Sequence, residues 1–296
     1  MSALPPPRRA VALALMVVAP LLWSSAGVVT RHIERAVPFE QVFWRSLAAG
    51  VFVAGFLLAT GGAPWRAVRA AGLPGLFSGA MWAVMFTAFV VALSLTSTAN
   101  TLVVMSVSPL LTAVLARLLL KEPVPPRTWL AILAGAAGIG WMFAAGMSMR
   151  SARDVAGMTV AMLVPLAAAS NLIALRATAA RLDLVPALVV GAALSCLVAL
   201  PLALPFTATA RDLLLLGLLG VFQLGLPCML LVIASRSLRA PEIALLGLIE
   251  VVLGPLWAWL GAGETPAIAT LAGGAIVLAA LAGNELAALA GRSRAA

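Results

Sequence analysis

Pro20-Leu21-Leu22-Trp23-Ser24-Ser25, followed by Arg31, is answered 145 residues later by Pro165-Leu166-Ala167-Ala168-Ala169-Ser170, followed by Arg176. Two more anchors come in the same order. Glu122 is matched by Glu264 at an offset of 142, and Leu133-Ala134-Gly135 by Leu271-Ala272-Gly273 at 138. Each match is weak alone in a chain so rich in Ala and Leu. In sequence they describe one unit used twice, over residues 1–147 and 148–296. The falling offset fits a shorter linker in the second copy.

The surroundings of these anchors say what the unit is. Of 296 residues, 63% are hydrophobic and 10% charged, and the mean hydropathy is +1.12. A soluble domain carries about 25% charged residues, and nothing here supplies such a surface. A bilayer core needs about 20 apolar residues per helix. Segments of that length are expected at 10–30, 39–60, 74–94, 98–120, 128–147, 156–178, 185–205, 212–234, 241–262 and 267–289. Pro, Gly and charge mark the breaks, as in Lys121-Glu122-Pro123 and Arg211-Asp212. The run after Arg8 and Arg9 continues to Val29, longer than the ~7–15 residues of a signal-peptide core, and is expected to stay as the first helix. The fold class is an all-α membrane protein of ten transmembrane helices. Five is odd, so the second five-helix unit enters the membrane from the opposite side, giving two inverted repeats.

Charge fixes an orientation. With the N-terminus inside, one set of connections holds 13 Lys and Arg, the other holds 5, and Arg45 lies within the second segment. The positive-inside rule then places both termini in the cytoplasm of a bacterial-type inner membrane. The net charge of +9 does not point to nucleic acid, because the basic residues form no stripe and sit at the ends of apolar runs. Cys196 and Cys228 lie inside apolar runs and read as small core hydrophobes. His32 has no second ligand nearby, so no metal site is expected. No phosphate-binding loop of the G-x-x-x-x-G-K-[ST] type occurs. No cofactor is expected, and energy would come from gradients. An intramembrane enzyme would need paired Asp, a Ser-His dyad or clustered His within the spans, none of which the sequence offers. A receptor or scaffold would need an extramembrane domain to signal through.

Leu22-Trp23-Ser24-Ser25, Arg45, and the stretch from Ala92-Leu93 through Pro109 to Leu118-Leu119-Leu120-Lys121-Glu122, with Glu250 through Trp257 to Gly263-Glu264 in the second half, form a set with known relatives. The chain resembles the drug/metabolite transporter superfamily, in its ten-helix EamA-type branch. One departure is Pro255, four residues later than the position matching Pro109. The resemblance implies a secondary transporter that exports small metabolites by alternating access between inverted halves. It implies a pathway lined by helices one, three, four, six, eight and nine. Amino acids are frequent cargo, and an aromatic stripe tilts the expectation toward neutral and aromatic amino acids, the substrates of the aromatic amino-acid exporter branch. The competing cargo is a broad set of hydrophobic or cationic compounds. Small members of the superfamily dimerise; a chain with both halves needs no second copy, so a monomer suffices and a dimer stays open.

Candidate pathway residues follow from what hydrocarbon disfavours. A charge at the centre of a span costs about 2.5–3.5 kcal/mol on insertion scales. Arg45 and Glu250 lie well inside spans. They would touch substrate or a coupling proton; the plainer readings are snorkelling for Arg45, a structural partner for Glu250, or pairing with each other. Ser24, Asn100, Ser108, Asn171 and Gln223 are polar candidates, each also readable as an interhelical hydrogen bond. Thr112 extends a stripe with Asn100 and Ser108. Ser78, Trp82, Met85, Phe86 and Phe89 share one helical face, and Trp23 and Trp257 fall in helices expected to meet it. That aromatic set also fits a packed or lipid-facing stripe. Pro20, Pro109, Pro165, Pro227 and Pro255 are candidate hinges or plain kinks. Trp65 and Trp129 read as interface anchors.

Overall fold

The computed structural model describes residues 6–30, 32–96, 98–143, 151–179, 181–262 and 268–293. Among them there is helix and no strand. The helices are α1 (Arg9–Trp23), α2 (Ala26–Thr30), α3 (Pro38–Ala59), α4 (Pro64–Leu95), α5 (Thr98–Met105), α6 (Ser108–Leu119), α7 (Pro126–Phe143), α8 (Ala152–Thr178), α9 (Ala187–Ala203), α10 (Ala210–Leu218), α11 (Leu226–Ala234), α12 (Ala240–Gly247), α13 (Ile249–Ala262) and α14 (Ile268–Ser293). A π-helical segment, Leu219–Gly225, joins α10 to α11.

Five stretches of the described residues are long and apolar enough to cross a membrane: Arg9–Thr30, Pro38–Ala59, Pro64–Leu95, Ala152–Thr178 and Ala210–Ala234. The expected segments 98–120 and 241–262 are each divided, at Ser106-Val107 and at Leu248. A hydropathy run is blind to such an interruption, since a broken helix and a straight one have the same composition. The first segment is also divided, at Ser24-Ser25, where the Ser24 hydroxyl donates to the Leu21 carbonyl at 2.7 Å and that of Ser25 to Leu22 at 2.7 Å. Side chains that bond their own backbone in this way compete with the helical ladder.

Helix starts obey local chemistry. Pro38, Pro64 and Pro109 occupy first turns, where the missing N–H costs nothing. Ser151 with Asp154 opens α8 and Thr209 with Asp212 opens α10, each a reciprocal capping box. Gly72, with φ 56° and ψ −149°, kinks α4 and separates 64–71 from the long apolar stretch after it. A side chain at that φ is strained, so glycine is needed there.

The strongest packing sets α4 against α8 and α9, α3 against α9, and α7 against α14. α1 lies on α11, and α6 on α8 and α12. Leu130, Leu197 and Leu214 point outward and exposed, as a lipid-covered surface allows.

Two buried carboxylates close one end. Glu40 accepts the backbone N–H of Thr207 at 3.0 Å and of Ala208 at 2.9 Å, and the Thr207 hydroxyl at 2.9 Å. Asp212 accepts the backbone N–H of Glu34 at 2.8 Å and of Arg35 at 3.1 Å. At the opposite end, ion pairs join Arg9 to Glu242 (3.0 Å), Arg176 to Glu122 (3.2 Å) and Arg236 to Asp183 (2.7 Å).

Candidate functional site

A cavity of about 170 Å³ lies among α1, α3, α4, α5, α6, α8, the π segment, α11, α12 and α13. None of its lining comes from α7, α9 or α14. Of the residues expected in the pathway, Trp23, Arg45, Trp82, Phe86, Ser108, Asn171, Gln223 and Glu250 line it. Arg45 adds the second segment to the expected lining. Met85 and Phe89 continue the aromatic stripe into the same space.

Arg45 is held in place from two sides. Its Nη1 donates to Gln223 Oε1 at 3.4 Å and its Nη2 to the Phe86 carbonyl at 3.3 Å. It is 4% exposed, so it does not snorkel to an interface, and its Nε has no acceptor among the described residues. The approach of the π segment to α3 makes this possible. A Cβ on Gly220 would lie 2.5 Å from the Arg45 carbonyl oxygen, so only glycine lets the two backbones come this close. The π turn then presents Gln223 to the guanidinium, in keeping with the frequent placement of such turns at functional sites.

Trp82 and Phe86 stack at 5.7 Å between ring centroids, tilted by 35°. The Trp82 indole N–H is buried without an acceptor among the described residues. Glu250 lies across the cavity in the first turn of α13. It has no hydrogen-bond partner among the described residues, and it does not pair with Arg45. A buried charge with unfilled valences is costly, so a cavity holding unpaired donors and a free carboxylate is poised for a polar guest.

Four of the polar and aromatic candidates, Ser24, Ser78, Thr112 and Trp257, stand one layer behind the wall. Ser78 is buried and donates to Asn171 Oδ1 at 2.7 Å, which orients that amide. Trp257 Nε1 donates to Ser24 Oγ at 2.7 Å, tying α13 to the break after α1. Thr112 is buried, its hydroxyl without an acceptor among the described residues. The side chains of Asn100 and Pro255 lie outside the described residues, as do Arg31 and the turn containing Glu264.

The prolines take different positions. Pro20 falls in the last turn of α1, just before the break; Pro109 opens α6; Pro227 opens α11, straight after the π segment. Pro165 sits within α8, which runs through it uninterrupted.

Sequence reasoning placed Cys228 in the core, and it is 1% exposed, yet it also borders the cavity with Met105, Val164 and Leu231. Apolar lining residues carry no signal that separates them from packing residues. Also unforeseen were the stitches of Glu40 and Asp212, whose partners lie more than 160 residues away.

The fold and cavity together define a helical membrane protein with a central pocket of mixed polar and aromatic character. Residues 10–144 match the model of the EamA-like transporter family, a family of the drug/metabolite transporter superfamily. The family is one of membrane transporters of small molecules. A solved structure titled only as the crystal structure of a protein superposes with a TM-score of 0.78 at 22% identity, covering 94% of this chain and 98% of its own. That likeness shows the fold alone. No curated protein matches the chain.

Proposed function

We propose that this protein is a ten-span secondary transporter that exports neutral amino acids, aromatic ones in particular, by alternating access between two inverted five-helix halves. The observation that carries the substrate class is the cavity's pairing of charges. A zwitterion would set its carboxylate on Arg45 and the free Trp82 N–H, and its ammonium on Glu250. Trp23, Met85, Phe86 and Phe89 would enclose an apolar or aromatic side chain. At about 170 Å³ the cavity is small beside the ~300–1,000 Å³ of typical small-molecule pockets, which favours a metabolite over a bulky drug.

The halves, 1–147 and 148–296, have support in the packing. Exchange of the halves turns the α4–α8 contact into α1–α11, and α4–α9 into the contact of α3 with the π segment. The α3–α9 and α7–α14 contacts map onto themselves. The charge split supports cytoplasmic termini, in keeping with residence in a bacterial inner membrane. Pro20, Pro109 and Pro227, beside interruptions, are the hinge candidates; a monomer is sufficient, though a dimer is compatible.

Proteoliposomes loaded with labelled amino acids test the reading. Expected is saturable flux of phenylalanine or leucine, competed by neither the decarboxylated amine nor the deaminated acid. No flux across a broad amino-acid panel overturns it. The second reading, export of lipophilic cations, rests on Glu250 sharing the cavity with the aromatic rings of Trp23, Trp82, Phe86 and Phe89; competition by the amine alone would favour it.

A further inference from the structure

A second cleft, of about 320 Å³, opens at the end of the molecule that carries the arginine-rich connections. It lies between the connection from α3 to α4 and the connection from α8 to α9. Leu57, Gly62, Arg66, Ala70, Arg181 and Asp183 are among its walls. It shares no residue with the central cavity.

Its charge is unbalanced. Asp183 is already engaged: Arg236 Nη2 donates to it at 2.7 Å, and so does the Val185 backbone N–H at 3.0 Å. Arg66 and Arg181 are exposed, and their guanidinium groups have neither a hydrogen bond nor an ion pair with a described residue. Two cations therefore face one cleft with their counter-charge taken elsewhere. A guanidinium offers a fork of donors that suits a phosphate.

The rim tells what kind of phosphate. Residues 64–71 form a helical arm set off from the rest of α4 by the Gly72 kink. On the arm, Arg66 and Ala70 face the cleft one turn apart, while Trp65 and Arg69 form the next face, with the Arg69 guanidinium 4.6 Å from the Trp65 ring centre. Trp65 is 63% exposed, and Leu73 just past the kink is 81% exposed. An indole and a leucine left bare beside a pair of arginines match a membrane interface, where tryptophan sits at headgroup level. A free phosphate in water would have no use for these apolar neighbours. Acyl chains would cover them.

We propose that this cleft binds the headgroup of an anionic phospholipid, with the phosphate bridging Arg66 and Arg181 and the acyl chains running past Trp65 and Leu73. Such a lipid joins the arm before α4 to the connection between α8 and α9, the two helices on which α4 packs. It acts as a removable tie at one end of the bundle. The site depends on membrane residence and not on the identity of the transported substrate.

The test uses the full-length protein in detergent. Phosphatidylglycerol, phosphatidylcholine and inorganic phosphate are titrated separately, with the thermal unfolding midpoint and native mass spectra as readouts. Expected is a rise in midpoint and retained bound lipid with phosphatidylglycerol alone. The double variant R66Q/R181Q is expected to weaken phosphatidylglycerol binding by about thirtyfold, from the usual contribution of two arginines near an anionic surface. The variant R8Q/R117Q removes the same charge from exposed positions outside the cleft and is expected to bind as the unmodified protein does. R66K/R181K, which keeps the charge and loses the fork, should fall between. Equal binding by R66Q/R181Q and the unmodified protein overturns the proposal. Equal loss in R8Q/R117Q overturns it in favour of diffuse surface charge, and a full midpoint shift with inorganic phosphate overturns the lipid.

Discussion

The interrupted pairs α5–α6 and α12–α13 break at matching places and carry different chemistry there. Ser106-Val107 interrupts the first pair, and Leu248, 142 residues beyond Ser106, interrupts the second. The same offset sets Glu250 against Ser108, and both line the cavity. The prolines do not follow the offset. Pro109 opens α6, whereas Pro255 falls in the middle of α13. Both breaks carry a short backbone bond to the third residue before, Val107 N–H to the Val104 carbonyl at 3.3 Å and Leu248 N–H to that of Leu245 at 3.0 Å. The second interruption therefore forms without proline in the turn after it. What differs between the two pairs is the side chain delivered by the break: a hydroxyl in one, a carboxylate in the other. The two breaks thus present unlike chemistry to one cavity, as the proposed zwitterion requires.

The comparison is most exposed to failure at those two side chains. Glu250→Gln is expected to cut amino-acid flux in proteoliposomes by about tenfold or more, since a hydrogen bond to a charged group contributes about 1.5–3 kcal/mol. Ser108→Ala, losing a neutral hydroxyl, should cost about threefold. Equal losses would erase the distinction between the halves. If Glu250→Gln instead kept full flux with an unchanged pH dependence, Glu250 would have no part in binding or coupling. Arg45→Gln should raise the KM for amino acids by roughly tenfold on the same scale, read from the concentration dependence of flux, with the decarboxylated amine still failing to compete. Trp257→Phe removes the bond to Ser24 and should lower stability by about 1 kcal/mol in denaturant or thermal unfolding, with flux largely kept. The smallest effect is expected of Pro109→Ala. Proline in a first helical turn is favoured but replaceable, so stability should change by less than about 1 kcal/mol. A larger loss of flux than that of Ser108→Ala would show that the proline maintains the break in the first pair.

Much of the cavity was legible in the sequence because hydrocarbon makes polar residues conspicuous. Arg45, Asn171, Gln223 and Glu250 stood out against apolar runs, and all four line the cavity. The stripe of Trp82, Met85, Phe86 and Phe89 was legible from helical spacing. Less legible was depth. Ser78 and Ser24 look as polar in sequence as Ser108, but each spends its hydroxyl on a neighbour behind the wall. The interruptions at Ser24-Ser25, Ser106-Val107 and Leu248 left no mark in hydropathy, and the π segment left none either. Glu40 and Asp212 looked like ordinary helix-start acids. Their second role, accepting backbone N–H groups from a distant connection, depends on pairs of segments that no local pattern brings together.

The π segment has a consequence for how this protein can vary. A π turn holds one more residue than the α-helix it interrupts. Deleting a single residue within Leu219–Gly225 would let α10 and α11 merge into one regular helix, and everything on one side of the deletion would rotate by about 100°. Either Gln223 would leave Arg45, or Cys228 and Leu231 would turn away from the cavity. The length of this span is therefore fixed as firmly as any side chain in it. A gap here in a homologous sequence would mark a chain in which the Arg45 guanidinium has lost its Gln223 support or the cavity part of its wall.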